Sequence, residues 1–91
     1  MSYMIEIYYR LPPDHARETQ YTALLRPMGG HLDFREETNI PGVSTSVCLT
    51  YEYAYIEQAE EAAAMLRAAG QYVEGPHAYG EEPNADTEPT R

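Results

Sequence analysis

Three side chains and one thiol carry the chemistry that the types and spacing of residues allow. His31 and Asp33 stand two residues apart in an alternating segment, so in a strand both leave the same face. Glu52 lies in another such segment and would join them if the two strands were neighbours. One imidazole with two carboxylates suits a divalent cation. The same imidazole beside Glu52 suits proton transfer, the carboxylate holding the tautomer. His31, Asp33 and Glu52 are therefore the candidate catalytic residues of an enzyme or metal-site reading. Trios of this kind are frequent on acidic sheets, so no metal is assigned. No glycine-rich phosphate loop opens a helix either, and no cofactor is expected. Cys48 is the single cysteine. A lone strand cysteine more often packs as a small hydrophobe than reacts as a thiolate.

Composition bounds the rest. With 91 residues, the chain has room for one domain. Fifteen acidic against six basic residues give a net charge of −9, and all six bases are arginines. Such a surface repels phosphate backbones and anionic lipid, so neither nucleic acid nor membrane is expected as a partner. No run approaches the ~18 apolar residues of a membrane span. One cysteine excludes an intrachain disulfide, and with no secretory or lipidation pattern at the N-terminus the expectation is a small cytoplasmic protein of bacterial type.

The elements that must position the candidates follow from hydrophobic period. Tyr3 to Leu11 alternates and reads as a strand, stopped by Pro12 and Pro13. Asp14 caps a helix reaching about Met28, with Tyr21, Leu24, Leu25 and Met28 as its apolar stripe and Pro27 distorting its end. Gly29 and Gly30 close it. His31 to Glu36 is a short second strand with Leu32 and Phe34 inward, followed by a long loop, Glu37 to Thr45. Ser46 to Tyr53 forms the third strand. The second helix, about Ile56 to Ala69, is rich in strong helix formers, with Ile56, Ala59, Ala63, Leu66 and Ala69 toward the sheet. Gln71 to Glu74 is a short fourth strand that Gly75 and Pro76 break. Residues 80–91 are acidic and nearly devoid of apolar side chains, which predicts a disordered tail after a single domain of residues 1–79.

This element order resembles the ferredoxin-like fold: an α+β, βαββαβ sandwich whose four-stranded antiparallel sheet has the order 4-1-3-2 and carries two helices on one face. The resemblance implies an open sheet face and no particular activity. A loop centred near Pro41 and Gly42 pairs the second and third strands so that residue numbers sum to 83: His31 faces Glu52, Asp33 faces Thr50 and Arg35 faces Cys48. The open face then collects the trio and Cys48 together with Glu6, Tyr8, Arg10, Arg35, Thr50, Tyr72 and Glu74. Of these, Glu6, Tyr8, Arg10, Arg35, Thr50 and Tyr72 are candidate ligand-binding residues. The function expected is that of a small acidic binding or regulatory module, non-enzymatic and homodimeric, with a protein or small molecule as its further partner. The alternative is a small enzyme or divalent-metal site on the open face within a dimer.

Overall fold

The computed structural model describes residues 1–79, so the tail expected at 80–91 lies outside the described residues. Its elements are β1 (Ser2–Arg10), α1 (His15–Leu25), a 3-10 turn (Arg26–Met28), β2 (His31–Ile40), β3 (Ser44–Tyr53), α2 (Ile56–Ala68) and β4 (Tyr72–Tyr79). The strands form one antiparallel sheet in the order β2-β3-β1-β4, which is the expected order read from the other edge. Tyr21 and Leu25 of α1, and Ala59, Ala62, Ala63 and Leu66 of α2, share one core with Ile5, Ile7, Tyr9, Val47, Leu49, Tyr51, Tyr53 and Val73. Both helices therefore lie on one side, and the fold is a ferredoxin-like α+β sandwich.

Local chemistry accounts for the helix boundaries. The Asp14 carboxylate accepts from the Arg17 amide at 3.0 Å, satisfying one of the free donors of the first turn. Pro27 lacks an amide hydrogen, and the chain tightens there into the 3-10 turn. Gly29, at φ 93°, ends it in the left-handed conformation. The apolar stripe of α1 is narrower than its spacing suggested, because Leu24 is 46% exposed. In α2, Ala62 is buried beside the expected Ala59, Ala63 and Leu66, and the small side chains admit the sheet closely.

Tyrosines supply much of the core, and their hydroxyls reach partners at its margin. Tyr51 shares a 2.7 Å hydrogen bond with Thr22, and Tyr21 donates to Gln71 at 2.6 Å. Tyr53 differs: its hydroxyl is buried without a partner among the described residues, under the α-carbon of Gly30. A β-carbon at Gly30 would stand 2.5 Å from that oxygen, so only glycine fits.

Three expectations about the sheet need correction. The long loop is absent: β2 and β3 continue to Ile40 and from Ser44, leaving a turn at residues 41–43. Pro41 followed by Gly42 at φ 80° occupies the central positions that a type II turn requires, with the Val43 amide donating to the Ile40 carbonyl at 2.9 Å. The fourth strand does not stop at Gly75. It bulges there and resumes, pairing Met4 with His77 and Ser2 with Tyr79. Finally, the sum of 83 holds only for His31–Glu52 and Leu32–Tyr51. A second bulge at Asp33 moves the sum to 84, so Phe34 faces Thr50, Arg35 faces Leu49 and Glu36 faces Cys48. One inserted residue sends every later side chain of β2 to the other face. Phe34, expected inward, stands 55% exposed on the open face, and even the correctly paired Leu32 is 41% exposed at the sheet edge.

Candidate functional site

The alternation of β1 and β3 sets the centre of the open face, where Glu6 neighbours Thr50 and Tyr8 neighbours Cys48. At one end of that face the trio does assemble. One ligand atom each from His31, Asp33 and Glu52 lies within 4.8 Å of the other two. Both carboxylates are held from outside the trio. The Ser2 hydroxyl donates to Glu52 Oε2 at 2.5 Å, and the Tyr79 hydroxyl, reaching across from β4, donates to Asp33. Ser2 also lies 2.7 Å from the Tyr79 carbonyl; with a single proton it can donate to only one of these acceptors at a time. Hydroxyls that fix one oxygen of a carboxylate leave the other to face a ligand.

The geometry suits a cation better than it suits proton transfer. His31 Nε2 is 3.6 Å from Glu52 Oε1, an ion-pair separation beyond hydrogen-bond range, and the imidazole side chain is 69% exposed. A ring so placed is neither oriented nor desolvated by Glu52.

The other candidates do not share one site. Tyr8, Arg10 and Tyr72 come together at the opposite end of the face, the two tyrosine rings 5.6 Å apart and tilted by 38°. Glu6 stays on the open face directly across from Glu74, with no cationic side chain within ion-pair range among the described residues. Thr50 is only 4% exposed between Phe34 and Glu6 in the ladder and is not available to a ligand. Arg35 is not on this face at all. The Asp33 bulge turns it to the helix side, where its Nε donates to Glu18 Oε1 at 2.7 Å, its Nη2 to Glu18 Oε2 at 3.0 Å, and its Nη1 meets Glu37 at 2.8 Å. Hydrogen bonds from Arg35 hold the Glu18 carboxyl below its ordinary range, opposed by burial and helped by the Tyr9 hydroxyl.

Cys48 faces Glu36, not Arg35. Burial pushes its thiol up, the nearby carboxylates of Glu6 and Glu36 push in the same direction, and the sulfur donates to Glu6 at 3.8 Å. An acidic, partly buried setting disfavours the thiolate, so the nucleophile reading has no support here.

Sequence reasoning missed Ser2, Tyr79 and Phe34 as members of the open face. Phe34 and Tyr79 lie beyond bulges that reverse the alternation of their strands. The only signal was Gly75, whose φ of 103° and 2.8 Å approach of a would-be β-carbon to the Met4 carbonyl demand glycine. Comparison with protein-family models, curated proteins and solved structures finds no match to this chain. No helix among the described residues is long and apolar enough to cross a membrane.

Proposed function

We propose that the protein is a small, acidic, non-enzymatic binding or regulatory module that works as a homodimer, with the open sheet face as its working surface. The observation that carries this reading is the exposure of large rings there: Phe34 at 55% and Tyr72 at 62%, beside the Tyr8–Tyr72 pair. The helix face, by contrast, has a filled core. Exposed apolar surface of this kind is covered when a partner is present, and a two-fold copy is the commonest partner. The row containing Glu6 and Glu74 limits the contact. Burying two facing carboxylates without a cation is costly, so the dimer leaves the Glu6–Glu74 pair on β1 and β4 wet and closes over Phe34 on the β2 side. A cytoplasmic setting accords with the single cysteine.

Sedimentation at micromolar concentration tests this reading. A dimer that Phe34→Glu converts to a folded monomer supports it. A wild-type chain that stays monomeric at high concentration overturns the dimer.

A second reading, a divalent-metal site at His31, Asp33 and Glu52, is favoured by the mutual approach of their ligand atoms and by the hydroxyls of Ser2 and Tyr79 on the two carboxylates. Zinc titration by calorimetry decides it: saturable heat at micromolar metal, lost in Asp33→Asn, supports the site, and no heat removes it.

A further inference from the structure

At the end of the open face away from His31, the β2–β3 hairpin extends past the last residues of β1 and leaves an open groove of about 750 Å³. This is within the size range of small-molecule sites. Its floor is the Tyr8–Tyr72 pair, with the Tyr72 ring exposed and its hydroxyl donating to Glu74 at 3.0 Å. The Val43 side chain, 78% exposed, lies at the hairpin end. Ser44 and Ser46 line the same groove with their hydroxyl oxygens 3.1 Å apart. That contact uses one of their two protons and leaves the other to donate to a ligand.

Charge gives the groove its selectivity. The chain carries fifteen acidic residues against six basic ones, yet none of the described residues lining the groove is acidic, and Arg10 is the single charged side chain among them. Arg10 also lacks a carboxylate partner among the described residues, whereas Arg35 is engaged by two. An unpaired guanidinium matches a carboxylate with two parallel hydrogen bonds. Exposed rings and a valine beside it match a flat apolar body.

We propose that this groove binds a small aromatic carboxylate, its carboxylate on Arg10 and the free serine proton, its ring against Tyr72 and Val43. The proposal deepens the reading of the protein as a binding module and does not depend on the dimer.

The test is an amide-shift titration of the full chain with 2-naphthoate, with the cationic 2-naphthylmethylamine, which carries the same ring, as control. Naphthoate should shift residues at Arg10, Val43 to Ser46 and Tyr72, and the amine should not. Arg10→Gln should weaken binding about tenfold or more, Arg10→Lys should restore part of it, and Tyr72→Ala should weaken it by a comparable factor, all with unchanged circular dichroism. Absence of shifts at millimolar naphthoate overturns the proposal, as does equal binding of the amine or an unaffected Arg10→Gln. Sedimentation of the same samples separates the two readings. A dimer that ignores naphthoate sinks only the groove, and a monomer that binds it sinks only the dimer.

Discussion

The two edge strands each carry a bulge that reverses their alternation, and they do so for different physical reasons. In β4 the backbone dictates the residue. Gly75 sits at φ 103°, with the Met4 carbonyl where a β-carbon would go, so glycine is the side chain that fits. In β2 no glycine is involved. Asp33 is inserted, and what the strand gains lies downstream, where Arg35 reaches Glu18 on α1 while Phe34 is released to the open face. One irregularity is written in backbone conformation, the other in a side-chain partnership between elements far apart in sequence.

Breaking the β4 bulge should have the largest effect. Gly75→Ala adds both a left-handed strain and a backbone clash, and should cost about 2–3 kcal/mol in denaturant unfolding. The β2 bulge should instead respond to its partner. Glu18→Gln should cost about 1 kcal/mol at neutral pH. Because the folded Glu18 carboxyl titrates below its ordinary value of 4.5, its contribution is complete above that pH and is lost as pH falls through the lower folded value. Unfolding curves of Glu18→Gln and the wild type should therefore converge in acid; a constant gap would show that the carboxylate's charge is not what Arg35 requires.

Deleting Asp33 should have a smaller effect. It makes Leu32–Tyr51 and Phe34–Thr50 consecutive pairs and leaves Arg35 on Glu18, so stability should change by less than about 1 kcal/mol. Any zinc response of the His31 trio should disappear. Smallest of all is Phe34→Ala measured on the monomer, at under about 1 kcal/mol, where a buried phenylalanine would cost about 3–5. A loss in the larger range would return Phe34 to the core and undo the bulge.

These contrasts explain what could be read from the chain before its fold was known. Element order and type were legible because Ile5, Ile7 and Tyr9, or Ala59, Ala63 and Leu66, express their period locally. The meeting of His31 with Glu52 was legible because it precedes the bulge. Everything in β2 after Asp33 was not, since alternation continues on both sides of a bulge and only a partner such as Glu18 reveals the change of phase. At Gly75 a residue-level signal existed, but Gly-Pro ends strands as readily as it bends them. The hairpin turn was signalled by Pro41-Gly42 as well. Reading the surrounding polar residues as loop concealed that Thr38, Ile40 and Thr45 are at home in strands. The groove beside Arg10 depends on the hairpin's true length and was hidden for that reason.

The hydroxyl of Tyr79 bound to Asp33 has a mechanical consequence. Opposite margins of a four-stranded layer are three spacings apart, roughly 14 Å, and ordinarily loosen independently. Here the side chains of Tyr79 and Asp33 reach toward each other and meet above the inner strands, so detachment at either margin deprives the other of an anchor. Amide exchange near residues 33 and 79 should consequently rise together when Tyr79→Phe cuts the tether, rather than at one border alone.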